Sequence, residues 1–371
     1  VKGSSLKVIA KRWVIILGVG FLFWGGYLLW PRLVTSSLPV LVLPRDPYAA
    51  GFEVGSTQKA AVRELAFDYY QKGLAGHSGP GEKALYRAVK RAKAAASKSI
   101  ADEIRGLADG SGVPEKLVWE SNIAVDLYSN SALMACSVVV APERGGGFLV
   151  GRNLDFFDFG VLHKHTVLLV RPRGKSGWTA SLAWPGLAGI ITGWNDRGEF
   201  CSLNLAVNDT GRCKDKSAPP ALFMIRDFLE SNSPRGEKLE WLKSRPVSFP
   251  MILCFADRKG GAIIEKGALG SRIRTRPDGA AFADNDLICW GAPMGGRCAT
   301  LSALATGDRK GVARSDVEGA LRRVTLGSAF LKTFCTLYSV VFEPTTGRAW
   351  VAEGILPATR GPYREVTAPR R

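Results

Sequence analysis

Histidine occurs only three times in this chain, as His77, His163 and His165, and none of the seven cysteines stands in a CxxC pair. Those shortages argue against a zinc site, which needs clustered Cys and His ligands at short spacings, so no metal is expected. They also leave little material for catalysis that depends on an imidazole. No Gly-rich loop connects a strand to a helix where it could cradle a phosphate, so nucleotide binding has no support and no cofactor is expected. Internal repeats and low-complexity tracts are absent as well.

Acidic residues are the minority, 33 against 50 Lys and Arg, which gives a formal net charge of +17. Such an excess attracts anionic surfaces, whether nucleic acid or acidic lipid headgroups, and solubility alone is an equally open reading. The basic residues are scattered, as at Lys90, Arg91 and Lys93 or Arg272, Arg274 and Arg276, and no DNA- or RNA-binding module accompanies them. Nucleic acid is therefore not an expected partner. Hydrophobic residues make up 46% of the 371 and charged residues 22%, the balance of a globular chain with a sizeable core.

Long uncharged runs are rare too, and the one at Trp13 to Trp30 stands out. As a helix it would be about 27 Å long, close to a bilayer's apolar thickness. Tryptophans flank it, and Lys2, Lys7, Lys11 and Arg12 precede it. Cations on that side predict a single-pass anchor over 13–30 with a cytoplasmic amino terminus and the rest of the chain on the extracytoplasmic face. A cleaved signal peptide is the alternative, but Pro31-Arg32-Leu33 follows where a small-x-small cleavage site would stand. Seven cysteines beyond an anchor permit disulfides, and an odd number leaves at least one thiol free, for which Cys136 is the candidate.

Residues 38–133 read as mostly helical, with apolar positions three and four apart over Gln58 to Leu74 and Gly81 to Ala108. From Cys136 the texture changes to strands: Ser137 to Ala141, Phe148 to Asn153, His165 to Arg171, Thr179 to Ala183, then a hairpin of Gly189 to Thr192 and Glu199 to Leu205. Helices are expected at Pro220 to Glu230 and Gly236 to Lys243, and strands at Pro250 to Asp257, Gly261 to Glu265 and Ser271 to Thr275. A helical pair, Ala299 to Ala305 and Ser315 to Arg323, precedes a hairpin of Thr336 to Glu343 and Arg348 to Ala352. Helices in blocks around two sheets' worth of strands predict a layered α+β domain.

A lone cysteine is most often a small buried hydrophobe. Cys136 differs in its setting, at the boundary of a helical and a strand segment and directly after Ala135. Cleavage between Ala135 and Cys136 would make Cys136 an amino terminus, and a free α-amine, with a pKa near ~8, can act as base toward its own thiol. No catalytic histidine is then needed. The rival Cys/His pair would draw on His163 or His165, which read as one face of a strand.

The stretch Met134 to Phe156, MACSVVVAPERGGGFLVGRNLDF, resembles the mature amino terminus of the amino-terminal-nucleophile hydrolases of the penicillin V acylase superfamily. Within it the chain is most similar to the acyl-coenzyme A:6-aminopenicillanate acyltransferases, with the acid ceramidases and N-acylethanolamine acid amidases alongside. Arg152 and Asp155 follow Cys136 at the spacing seen in those lipid amidases. Asp46 to Gly55, DPYAAGFEVG, and Glu103 to Val113, EIRGLADGSGV, resemble the acyltransferase propeptide, and Trp184 to Gly193 resembles the lipid amidases before their central hairpin. The likeness covers about residues 44–210.

The resemblance implies a four-layer αββα sandwich, a helical propeptide over 36–135 behind the 1–35 stub and anchor, and a catalytic chain over 136–371. It implies Cys136 as nucleophile in self-cleavage and turnover, with Arg152 and Asp155 holding its thiol and amine. Asn285 corresponds to a family oxyanion donor, although its neighbours depart from the usual Thr-Asn-His; Asn204 is a second candidate, and Arg297 corresponds to a family arginine near the site. Leu205 stands where the lipid amidases carry an acid, so that acid's role does not transfer. The implied substrates are non-peptide carboxamides with an acyl chain, lipid-like and met at a membrane with an anionic surface, and the acyl group passes to water or to an amine. The alternatives are an inactive membrane-anchored binding protein of the same fold and a Cys/His hydrolase that does not cleave itself.

Overall fold

A computed structural model of the chain describes residues 38–76, 80–129, 134–206, 218–307, 310–327 and 333–368. The expected anchor over 13–30, His77 and Cys213 lie outside the described residues. Among the described residues no helix is long and apolar enough to cross a membrane.

The fold is α+β with two sheets. The larger has eight strands in the order β1 (Val40–Val42), β4 (Val167–Arg173), β5 (Gly177–Ala183), β6 (Thr192–Asn195), β7 (Phe200–Leu205), β8 (Met251–Asp257), β9 (Gly260–Gly267) and β10 (Gly270–Arg274). The smaller has six, ordered β11 (Ala281–Ala283), β2 (Met134–Pro142), β3 (Phe148–Phe157), β12 (Phe334–Glu343), β13 (Arg348–Ala352) and β14 (Arg364–Val366). All neighbours are antiparallel except β1 and β4.

The alternation of side chains along a strand explains the apolar run after Cys136. Cys136, Val138 and Val140 point into the main core between the sheets, while Val139 and Ala141 point the other way into a second core. That second core is closed by α9 (Gly296–Gly307) and α10 (Arg314–Arg323), through Cys298, Leu301, Val317 and Leu321. A strand buried on both faces needs no polar alternation, which is why β2 reads as a continuous β-branched stretch. The inner faces meet through Trp194 and Phe200 against Phe342, with ring centroids 5.5 and 5.9 Å apart. The outer face of the larger sheet is covered by α7 (Ala221–Glu230) and α8 (Arg235–Ser244), Phe228 meeting Phe255 edge to face at 5.3 Å.

Six further helices come from the amino-terminal half. α1 (Pro47–Thr57) is followed by α2 (Lys59–Glu64), which widens into a π-helical stretch over Leu65–Ala75, and then by α3 (Glu82–Ala95), α4 (Lys98–Ser111), α5 (Glu115–Asn122) and α6 (Ala124–Tyr128). The segment expected as one helical stretch from Gly81 to Ala108 is thus two helices, parted by extended residues at Ala96 and Ser97. The two propeptide-like motifs turn out to be one contact: Gly51 and Gly55 of α1 lie against the α4 backbone, and Gly106 and Gly110 of α4 against that of α1. A Cβ on Gly106 would overlap the carbonyl oxygen of Tyr48.

This helical block is fastened to the rest by buried polar groups. Glu103 of α4 sits between Arg171 of β4 and Arg226 of α7, at 2.8 and 2.7 Å. Burial alone would raise the Glu103 carboxyl, but the two guanidinium groups outweigh it and hold it below the ordinary value. Asn122 of α5 donates to the Gly186 carbonyl at 2.9 Å and accepts from the Ala188 amide at 2.7 Å.

Several sequence expectations shift. The strand expected over Gly189 to Thr192 starts only at Thr192 and runs to Asn195. The strand expected from His165 starts at Val167, and His163 lies in a short 3-10 turn, Leu162–Lys164, so the two histidines are not one strand face. Strands β1, β11 and β14 were not expected, because three residues carry no readable periodicity.

The α1/α4 contact makes a direct prediction. Gly106→Ala should lower stability by about 1–3 kcal/mol through overpacking, seen as a lower urea midpoint with unchanged slope. Gly236→Ala, where a Cβ meets open space within α8, should leave the midpoint unchanged or raise it.

Candidate active site

Cys136 and Leu154 are directly paired on β2 and β3, as are Val138 and Arg152, so the thiol and the guanidinium share the inner face of the smaller sheet. Arg152 donates to the Cys136 Sγ at 3.4 Å, to the Asn204 Oδ1 at 2.6 Å and to the Leu203 carbonyl at 2.7 Å. Asn204 belongs to β7, so the guanidinium crosses from one sheet to the other. It is completely buried, and among the described residues no carboxylate lies within ion-pair distance of it.

The backbone nitrogen of Cys136 faces a different set of groups. It donates to the Asn285 Oδ1 at 2.9 Å. Arg297, at the start of α9, donates to that same oxygen at 2.8 Å and to the Asp155 Oδ2 at 3.1 Å. Asp155 pairs with Ala135 rather than Cys136, and so it points to the opposite face of the sheet from Arg152. Its second oxygen accepts from the Thr336 hydroxyl at 2.5 Å. The six side chains singled out from the sequence, Cys136, Arg152, Asp155, Asn204, Asn285 and Arg297, are therefore joined in one hydrogen-bonded network.

Two details depart from the sequence reading. An oxyanion hole needs N–H donors free to point at the reacting oxygen. One N–H of the Asn285 amide donates to the Leu205 carbonyl at 2.6 Å, and one of Asn204 to the Asp284 carbonyl at 2.8 Å, each amide keeping a second N–H. Toward the Cys136 nitrogen Asn285 is an acceptor, not a donor. Thr336, on the other hand, was not picked out at all; only the pairing of β12 with β3 brings it under Asp155, and nothing in the local sequence marks it.

Burial sets the protonation of the site. The Cys136 thiol, with no exposed surface, is raised by desolvation, against which Arg152 and a hydrogen bond from the Asp155 backbone pull it down. Burial likewise pushes the Asp155 carboxyl up to about 6, although Thr336, Arg297 and Arg152 all favour its ionised form. His163 and His165 are engaged elsewhere: Nδ1 of His163 meets Asp158 at 2.8 Å, and Nε2 of His165 meets Glu64 at 2.9 Å. Among the described residues no cluster of His, Cys, Asp or Glu is arranged to hold a metal ion.

No family model matches the chain. It is 29% identical over 155 residues to Protein dcd1A of Dictyostelium discoideum, covering 38% of this chain and 34% of that protein. It is 26% identical over 172 residues to the N-acylethanolamine-hydrolyzing acid amidase of Caenorhabditis elegans, covering 43% of this chain and 48% of that protein. The chain thus spans under half the length of either curated relative in these matches. Among solved structures, the ortholog of that amidase from Caenorhabditis elegans aligns with TM-score 0.47 at 18% identity, over 63% of this chain and all of that one. A conjugated bile acid hydrolase from Clostridium perfringens gives 0.44 at 13%, over 59% of this chain and 89% of that one. Penicillin V acylase from Agrobacterium tumefaciens gives 0.43 at 15%, over 60% and 84%. The resemblance drawn from the motifs meets the same group of proteins here.

The Asp155 carboxyl generates a stability prediction. Unfolded, it titrates near ~3.9, whereas in the fold it does so at about 6, so the folded chain binds more protons between those values. Its contribution to stability is full below about pH 4 and falls as pH rises to about 6. In a Cys136→Ala background, Asp155→Asn should remove that component, flattening the drop in Tm between about pH 4.5 and 7. A drop of unchanged size would contradict the assignment.

Proposed function

We propose that this chain is the precursor of an amide hydrolase that cuts itself between Ala135 and Cys136 and then uses Cys136 as an amino-terminal nucleophile. The observation that carries the reading is the division of groups around that one residue. Arg152 serves the thiol, while Asn285, with Arg297 and Asp155 behind it, serves the nitrogen. A nitrogen that meets the Asn285 oxygen, itself linked through Arg297 to the Asp155 carboxylate, suits an α-ammonium.

In self-cleavage the thiol attacks the Ala135 carbonyl, forming a C–S bond; the C–N bond to Cys136 breaks, and the nitrogen takes up the proton the thiol gave. Water then hydrolyses the thioester, leaving an Ala135 carboxylate and a Cys136 with free thiol and α-amine. In turnover the amine takes the thiol proton, and the thiolate, favoured by Arg152, attacks a substrate carboxamide. The proton passes to the departing amine, and water, or a second amine, releases the acyl group.

In this reading the two sheets and the helices on their outer faces form a four-layer αββα amino-terminal-nucleophile sandwich. Cleavage divides it into a helical chain, 36–135, and a mostly β chain, 136–371, which stay together through contacts such as Glu103 with Arg171 and Arg226. The run over 13–30 anchors the helical chain, with the catalytic unit on the extracytoplasmic side near anionic lipid. Substrates are non-peptide carboxamides with an acyl chain. The curated amidase relative, whose name describes hydrolysis of N-acylethanolamines, supports that class. Among the described residues the side-chain partners of Cys136 are Asn285 and Arg152 rather than a histidine, which favours an amine base over a Cys/His pair.

Intact-mass and peptide mass spectrometry of the purified protein test this. A fragment beginning at Cys136 is expected from the wild type and not from Cys136→Ala, and hydrolysis of fluorogenic N-acyl amides should accompany the fragment and survive His163→Ala and His165→Ala. An uncut chain that hydrolyses the same amides would sink the proposal, and a chain neither cut nor active would mark a binding protein.

A further inference from the structure

Strand β12 carries a β-bulge beside the site. Phe334, Cys335 and Thr336 pair with Phe157, Phe156 and Asp155, but the register then shifts, so that Tyr338 rather than Leu337 faces Leu154. Without the extra residue, Thr336 and Tyr338 would share one face, as any i, i+2 pair does. With it they are split. Tyr338 turns inward to the face of Cys136 and Arg152, where its hydroxyl donates to Thr192 at 2.9 Å. Thr336 turns outward beneath Asp155.

There Thr336 is held on three sides. Its amide donates to the Leu326 carbonyl at 3.1 Å, its Oγ1 accepts from the Leu326 amide at 3.1 Å, and its hydroxyl proton goes to the Asp155 Oδ1. The backbone donor that occupies a lone pair of Oγ1 aims the hydroxyl proton at the carboxylate. Asp155 then has one oxygen on Thr336 and the other on Arg297, each with a further lone pair. The charged or titratable groups that act on this carboxyl are Arg297 from α9, which contacts it, and Arg152 from β3, Cys136 from β2 and Cys335 from β12, which act through their charge.

We propose that Thr336 is a positioning residue, which orients the Asp155 carboxylate toward the nitrogen of Cys136 and keeps it ionised inside the fold. This rests on the reading of Asp155 as the partner of a nascent α-amine. A bulge whose single effect is to place a hydroxyl under that carboxylate and a phenol on the opposite face gives β12 a role in the site that sheet pairing alone does not require.

The test uses the full chain with Cys136→Ala, labelled with 13C at the aspartate carboxyl carbons, the Asp155 resonance being assigned by its loss in Asp155→Asn. Thr336→Val removes the hydroxyl at nearly constant shape and should raise the Asp155 titration midpoint by about one pH unit, the size expected for one charge-assisted hydrogen bond. Thr336→Ser should restore it. Thr336→Ala takes the place of the valine variant if that chain does not fold. Equal midpoints with and without the hydroxyl would overturn the proposal. In the chain that keeps Cys136, the acid limb of the self-cleavage profile should move upward with the same midpoint in Thr336→Val and return in Thr336→Ser. Absence of wild-type cleavage would remove the self-cleavage reading, while the carbon titration would still decide the role of Thr336.

Discussion

A guanidinium with no exposed surface and, among the described residues, no carboxylate within ion-pair distance is the constraint around which the site is arranged. Removing such a charge from water costs several kcal/mol unless hydrogen bonds and an opposite charge offset it. Arg152 has carbonyl and amide oxygens from Leu203 and Asn204, and the Cys136 thiol and the Tyr338 hydroxyl are neighbours able to carry a negative charge. Burial raises the Cys136 thiol, while Arg152 beside it pulls it down, so the buried cation and the buried thiol act on each other in the opposite sense to desolvation.

The same strand geometry separates the work done on the two ends of Cys136. A period of two along β3 sends Arg152 inward and Asp155 outward, so the cation and the anion lie on opposite faces of the sheet and do not pair directly with each other. Had they been two or four residues apart on this strand, they would have shared a face and been free to neutralise one another. Arg297 completes the separation by bridging Asp155 to Asn285 from the α9 side. The amino-terminal helices contribute at a distance: glycines let α1 and α4 approach closely, and Glu103 ties that pair to Arg171 and Arg226 in the remainder of the fold.

Much of the architecture was legible in the sequence where segments are long and periodic. The β-branched run after Cys136, the final hairpin and the helices over 221–230 and 314–323 were readable from pattern alone. Short strands were not, since β1, β11 and β14 exist only by virtue of the partners that hold them. The break between α3 and α4 was missed because Ala96 and Ser97 are ordinary helix residues in composition, and extended geometry there is imposed by packing. The glycines of the two propeptide-like motifs were visible as a resemblance, but that they face each other is a tertiary fact.

At the site, Cys136 at a helix-to-strand boundary with Arg152 and Asp155 on the following strand could be picked out from one local stretch, whereas Asn204, Asn285 and Arg297 were expected only because the family resemblance implied them. Chemistry is a property of the side chain, and spacing along one hairpin is local, so both survive in a linear string. Which atom each group offers was decided only by the fold. Asn285 presents its oxygen to Cys136 because the Cys136 nitrogen is a donor, while the Asn285 amide nitrogen turns to the Leu205 carbonyl. Thr336 reaches Asp155 because a bulge in a strand 181 residues away in sequence shifts its register. Hydrogen-bond direction and cross-strand register depend on every partner at once, and no single stretch of the chain carries them.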